Sequence, residues 1–254
     1  MKAFEACDFM NIDNLLTSEE RMVRDSVRAF ITKELMPIIE KSHREGRFPK
    51  ELIPGFAELG VFGPTIEGYG CPGLNYTSYG LIMQEIERGD SGLRSFVSVQ
   101  GGLCMFPIYK YGTDEQKNKY LPKMAKGELI GCFGLTEPDF GSNPAGMITR
   151  AKDNGDHYIL NGTKMWITNG GISDLAIVWC KNDDGKVIGL IVDRELKGFT
   201  TKDIHNKFSL RASVTSELIF EDVKVPKKNQ LQVQGLKGPL SCLSQARYGI
   251  SWGA

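Results

Sequence analysis

Residues 129–142, LIGCFGLTEPDFGS, mark the point where the texture of the chain changes. Ile130, Cys132, Phe133 and Leu135 open a β-rich stretch, and the Thr136–Ser142 run after them is a loop of small hydrogen-bonding groups. Upstream the pattern is helical. Thr17-Ser18-Glu19-Glu20 fits a capping box, and Val23, Val27, Phe30, Ile31 and Leu35 follow at helical spacing. Pro37 is expected to kink or end that helix. Pro49 opens a second one, with Leu52, Phe56 and Leu59 on one face and Gly60 as its stop. A helix near Ser78–Arg88 carries Leu81, Ile82 and Ile86. Thr113-Asp114-Glu115-Gln116 is another capping box, and Phe96–Tyr109 before it is apolar enough for a buried helix.

Downstream the pattern is that of strands. His157–Leu160 and Lys164–Ile167, joined by Asn161-Gly162, read as a hairpin with an Asn-Gly turn. Leu175–Cys180 and Val187–Val192, joined by Asn182-Asp183-Asp184-Gly185, read as a second. Phe199–Thr201 and Glu217–Val225 are further strands, the last closed by Pro226. Leu240–Ala254 turns helical again. Helices first and strands second predict the α+β class: an N-terminal all-α domain over 14–128, a β barrel or sandwich over 129–235, and a helix over 238–254.

Composition excludes several classes. Lys+Arg and Asp+Glu both number 31, so the basic surplus of a nucleic-acid binder is missing. With 41% hydrophobic residues the chain is no acidic disordered segment, and its length supports a core without disulfides. The longest apolar run, Leu175–Cys180, is far short of a bilayer span. The N-terminus carries acids early and lacks an apolar segment, so no signal or transit peptide is expected. Bacterial cytoplasm is the expected compartment, with the mitochondrial matrix as the alternative. The six cysteines are scattered without a CxxC pair and read as reduced. His43, His157 and His205 fall in separate segments, so no metal site and no histidine triad is expected. Gly68-Tyr-Gly70-Cys-Pro-Gly73 matches the dinucleotide fingerprint by letter, but it follows a helix and holds a proline, and reads as a loop.

Four segments stand out from plain structure: Cys132–Ser142, Lys164-Met-Trp-Ile-Thr-Asn169, Phe208-Ser-Leu-Arg-Ala-Ser213 and Ala246-Arg-Tyr-Gly249. In this order, from about Leu16 to Ala254, they resemble the acyl-CoA dehydrogenase family. GPTIEGYGCPGLNYTSYGL (63–81), ERGDSGLRSFVSVQ (87–100), CFGLTEPDFGSNP (132–144) and GPLSCLSQARYGISWG (238–253) are most similar to its glutaryl-CoA dehydrogenase branch.

The resemblance implies FAD as cofactor and removal of two hydrogens from the α and β carbons of an acyl-CoA thioester. In the glutaryl branch decarboxylation to crotonyl-CoA follows, a step of lysine and tryptophan breakdown. It implies flavin contacts at Phe133, Leu135, Thr136, Gly141, Ser142, Trp166, Ile167 and Thr168. Backbone N–H groups and hydroxyls there can stabilise charge on a reduced ring. It implies substrate contacts at Arg94, Ser95, Ser98, Ser142, Leu243, Ser244 and Arg247. Arg94 and Ser98 would meet the distal carboxylate, which a guanidinium fork matches. Glu87 lies two turns before Arg94, so a structural ion pair between them is an equal reading of the bare residues. Electron transfer flavoprotein is the implied acceptor, and a homotetramer the implied assembly.

Two positions depart from the family pattern. Asn143 stands where an aspartate is usual, and Gly101-Gly102 where the glutaryl branch has two serines. No residue is identified as the catalytic base. The family's glutamate lies in a C-terminal helical domain that 238–254 is expected only to begin, or, in the isovaleryl-type branch, at the position of Ala246. Glu137 has no family support as a base. The alternatives are another acyl-CoA dehydrogenase or oxidase specificity, and a non-catalytic acyl-CoA or flavin-binding module.

Overall fold

The computed structural model describes residues 9–254; Cys7 and most of the acidic N-terminal segment lie outside them. The chain is helical up to residue 125 and β-rich from residue 131. Helix α1 (Ser18–Phe30) starts at the expected capping box: the Glu20 N–H donates to Thr17 Oγ1 at 3.2 Å, and the Thr17 N–H donates to Glu20 at 2.8 Å. Pro37 does not end the helical run. One π turn, Ile31–Leu35, leads without a break into α2 (Met36–Glu45), and this wider turn accommodates the hydrogen bond that Pro37 cannot donate. Gly46, at φ 67°, closes α2. After the short α3 (Ile53–Glu58), β1 (Glu67–Gly68) and β2 (Cys71–Pro72) make a two-residue ribbon. Its Gly68, Gly70 and Gly73 have φ of 81°, 82° and 65°, so the GxGxxG string is a loop, as expected.

The next helices build the wall of the site. Helix α4 (Tyr76–Gly89) packs on α1, and buried Glu85 accepts both a 2.7 Å and a 3.0 Å hydrogen bond from Arg28 across that contact. Helix α5 (Ser91–Ser98) runs through a π segment, Val99–Met105, into α6 (Phe106–Tyr111). Helix α7 (Asp114–Ala125) begins at the second capping box, Thr113 with Gln116.

Strands β3 (Gly131–Gly134), β4 (Arg150–Asp153), β5 (His157–Thr168), β6 (Leu175–Lys181), β7 (Val187–Asp193), β8 (Phe199–Asp203), β9 (Thr215–Pro226) and β10 (Gln230–Gln234) form one sheet. Its order is β10-β7-β6-β4-β5-β9-β8, with β3 parallel to β6. The β6–β7 hairpin is where the sequence places it. Strand β6 reads as an unbroken apolar run because both its faces are buried. Ala176, Val178 and Cys180 point into the sheet's own core, while Leu175, Ile177 and Trp179 join the core of the helices.

The Asn161-Gly162 hairpin is a correction. Residues 157–168 are a single strand, paired along its length with β9. Asn161 holds a bulge: its amide donates to Asp222 at 3.0 Å and its carbonyl accepts the Asp222 N–H at 2.9 Å. At Gly162 a Cβ would meet Thr149 Oγ1 at 2.5 Å, so glycine serves a close approach rather than a turn. The turn that reverses the chain is at Asn154–Asp156, between β4 and β5. Helix α8 (Lys237–Gly253) follows the sheet and packs back on α4 and the π segment.

Candidate active site

A cavity of about 430 Å³ opens between the sheet, the π segment and α8. All eight residues expected at a flavin line it: Phe133, Leu135, Thr136, Gly141, Ser142, Trp166, Ile167 and Thr168. They converge because β3 ends beside β5 and both are held by one buried ion pair. Lys164, with no exposed surface, donates to Glu137 at 2.9 Å and to the Leu135 carbonyl at 3.1 Å. Glu137 also accepts from the N–H groups of Ile148 (2.7 Å) and Thr149 (2.9 Å), tying down both ends of the loop. Burial works to raise the Glu137 carboxyl, but the Ile148 N–H and Lys164 outweigh it and hold the group below its ordinary value. Burial also pushes the Lys164 ammonium down. Among the described residues the hydrogen bonds of the Glu137 carboxylate thus all run to the protein itself.

Next to Lys164 the β5–β9 register slips before Ile167. Within that bulge Trp166 adopts φ 63°, a strained conformation for a bulky L residue, and the residue is 63% exposed. The bulge re-aims Trp166 at the mouth of the cavity instead of into the core. The Met165 N–H donates to the Thr136 carbonyl at 2.8 Å, which fixes the loop against this strand. The hydroxyls of Thr136, Ser142 and Thr168 make no hydrogen bond among the described residues, and Val99, Leu103, Phe133 and Leu135 supply an apolar wall. Such a lining can seat a planar heteroaromatic ring beside Trp166 and offer donors along its polar edge.

The acyl-side residues fall in two groups. Leu243 and Arg247 of α8 line the cavity, and Arg247 makes no ion pair among the described residues. Ser244 does not: it is exposed and donates to the Leu240 carbonyl of its own helix at 3.1 Å. Arg94, Ser95 and Ser98 lie on α5, just before the lining residue Val99, and are not in the lining themselves. Arg94 donates through Nε to Glu87 at 2.6 Å, and Glu87 also accepts from Ser91. The expected ion pair therefore exists. It uses one nitrogen of a side chain only 11% exposed, and both Nη groups are without a hydrogen-bond partner among the described residues.

Four lining residues, Val99, Leu103, Pro144 and Leu240, were not singled out from the sequence. The i,i+4 pair Val99/Leu103 beside Arg94 was a usable signal; its conversion to a π turn was not. Also missed was Asn169, buried at φ 69°, whose amide donates to the Phe96 carbonyl (3.4 Å) and the Gly131 carbonyl (3.3 Å). Ala246 is buried, and no Asp or Glu lines the cavity. Among the described residues no cluster of His, Cys, Asp or Glu is placed to hold a metal ion, and Cys71, Cys104, Cys132, Cys180 and Cys242 are free thiols. Among the described residues no helix is long and apolar enough to cross a membrane.

Comparison with known proteins agrees with this architecture. Residues 17–128 match the family model for the acyl-CoA dehydrogenase N-terminal domain, and residues 132–223 that for the middle domain. The short-chain specific acyl-CoA dehydrogenase of Clostridium acetobutylicum is 36% identical over 94% of this chain and 65% of that enzyme. A crystal structure of a glutaryl-CoA dehydrogenase from Mycobacterium smegmatis in complex with FADH2 superposes with a TM-score of 0.95 at 53% identity, over 97% of this chain and 64% of that one. A solved chain described as the electron transferring flavoprotein of Acidaminococcus fermentans superposes with a TM-score of 0.90 at 36% identity, over 94% of this chain and 64% of that one. This chain thus spans a little under two thirds of the length of these relatives. Carrying both domains in order, it belongs to the acyl-CoA dehydrogenase family.

Proposed function

We propose that this chain forms the flavin-facing part of an FAD-dependent dehydrogenase that oxidises, and then decarboxylates, glutaryl-CoA. The observation that carries the proposal is the single cavity lined by all eight expected flavin contacts, with an exposed, strained Trp166 at its mouth. FAD, when bound, supplies the acceptor for a hydride from the acyl β carbon. The chain's own residues do the rest of the work on their side of the site. Thr136, Ser142 and Thr168 offer hydroxyl donors to a ring edge that gains negative charge, and preorganised donors stabilise such charge without reorganising. Val99, Leu103, Phe133 and Leu135 keep water from the reacting carbons. Arg247 and Leu243 flank the thioester and pantetheine path. The α proton goes to a carboxylate that these residues do not include, since no acid lines the cavity. We place that base, and much of a homotetramer contact, outside these 254 residues.

Arg94 favours a dicarboxylic acyl group over a plain short chain. With both Nη groups unpartnered, this guanidinium can still meet a distal carboxylate, a contact that an aliphatic chain cannot make. Glu87 holds the guanidinium by Nε and leaves the fork open. We also propose electron transfer flavoprotein as the acceptor and the bacterial cytoplasm as the compartment, in keeping with the family and the Clostridium relative. The test compares glutaryl-CoA with butyryl-CoA binding to the FAD-loaded chain and its Arg94→Gln variant. A hydrogen bond to a charged group is worth about 1.5–3 kcal/mol. The variant should therefore bind glutaryl-CoA roughly tenfold to a hundredfold more weakly and butyryl-CoA unchanged. Equal binding of both by the unmodified chain would remove the glutaryl assignment.

A further inference from the structure

Phe208–Ser213 stands out in the sequence yet lines no part of the cavity. We propose that this loop is a brace, with Arg211 as a positioning residue, that sets α5 and its Arg94 against the end of β5. What α5 does in catalysis rests on the glutaryl-CoA proposal; the brace itself does not.

One guanidinium ties this loop to the end of α2 through three carbonyls. Arg211 Nε donates to the His43 carbonyl at 3.0 Å and Nη2 to the Arg44 carbonyl at 3.1 Å, both in the last turn of α2. Its Nη1 donates to the Lys207 carbonyl of its own loop at 3.0 Å. A cation at a helix C-terminus is favourable, and a planar fork reaches neighbouring carbonyls that a point charge cannot reach together. Anchored there, the loop presses on the start of α5. At Gly92 a Cβ would lie 3.1 Å from both N and Cβ of Ser213 and 2.7 Å from Asp90 Oδ1. Asp90 is the N-cap of α5, accepting the Leu93 N–H at 3.1 Å, so the loop backbone rests directly on the capped first turn that precedes Arg94.

The far side of the loop closes on the other end of the same helix. Lys207 donates to the Ser213 carbonyl and to Thr215 Oγ1, each at 2.7 Å, and this stiffens the loop where β9 begins. The Asn169 N–H donates to the Val214 carbonyl at 3.1 Å, and its side-chain amide to the Phe96 carbonyl of α5 at 3.4 Å. Asn169 directly follows Thr168. A movement of the loop thus moves Arg94 relative to the cavity's polar edge. A distal carboxylate must meet Arg94 at a fixed distance from the reacting carbons, whereas an aliphatic tail has no such demand.

The test uses the FAD-loaded chain with Arg211→Ala, Arg211→Lys and Gly92→Ala, the last disturbing the contact without touching Arg211. Two readouts are taken: amide exchange across α5, and the ratio of glutaryl-CoA to butyryl-CoA affinity. Arg211→Ala and Gly92→Ala should each speed exchange at Leu93–Ser98 about tenfold, leave β6 and β7 unchanged, and cut the affinity ratio about tenfold. Arg211→Lys should restore part of both. Loosening of α2 alone, with α5 as in the unmodified chain, overturns the brace. Loosened α5 with an unchanged ratio overturns the positioning role. If the unmodified chain shows no preference for glutaryl-CoA, the glutaryl assignment fails separately, and exchange in α5 alone decides the brace. Should Arg211→Ala not fold, Gly92→Ala decides by the same criteria.

Discussion

Lys164 shows how much of the site depends on single residues. It has no exposed surface, its charge is met among the described residues only by Glu137, and the loop carrying Leu135 and Thr136 hangs on that pair. Glu137→Gln keeps the shape but strands a buried ammonium, which typically costs about 3–5 kcal/mol. Thermal unfolding should show a loss of that size. The pair also fixes a pH response. The folded-state Glu137 carboxyl titrates below its ordinary value of 4.5. Its contribution is therefore present above about pH 4.5 and is lost as pH falls through the lower folded value. Melting temperature should drop more steeply below pH 4.5 in the unmodified chain than in Glu137→Gln. At this scale the Arg94–Glu87 pair was legible, although the two-turn spacing behind it assumed one helix, whereas Glu87 lies in the last turn of α4 and Arg94 sits on α5 beyond the break at Asp90. The Lys164–Glu137 pair was not, because both types are ordinarily solvated and nothing local signals their burial. Nor does sequence show that Trp166 is turned outward, since the bulge that turns it is set by pairing with β9.

Among the elements, capping boxes and the β6–β7 hairpin were legible because their signals are local. The Asn161-Gly162 hairpin was misread because a twelve-residue partner strand outweighs a two-residue turn preference. The π segment Val99–Met105 explains one departure from the family pattern. At Gly101 a Cβ would lie 2.9 Å from the Gly63 backbone nitrogen, whereas at Gly102 the nearest atoms are 3.7 Å away. Gly101→Ser should therefore destabilise by about 1–3 kcal/mol through overpacking against a backbone that cannot yield. Gly102→Ser should be neutral or stabilise slightly, by up to about 0.5 kcal/mol, from the better helix propensity. Denaturant midpoints of the two variants check this contrast. Nothing in the structure explains Asn143, which is exposed.

For the molecule as a whole, the order of helices before strands was enough to predict the class. What could not be read was how the two parts share one core. Strand β6 buries alternate residues in opposite cores, and α8 returns across the sheet to pack on α4, so the cavity exists only where both parts meet. The most direct test of the account is a titration of this chain with FAD, following tryptophan emission and the flavin absorption band, beside the same titration of Trp166→Phe. On this account we expect saturable binding, a shifted flavin band, and quenching that is smaller in Trp166→Phe, the remainder coming from Trp179, whose ring lies 6.3 Å from that of the lining residue Phe133, and from Trp252. Absence of saturable binding, or quenching of the same size without Trp166, would contradict it.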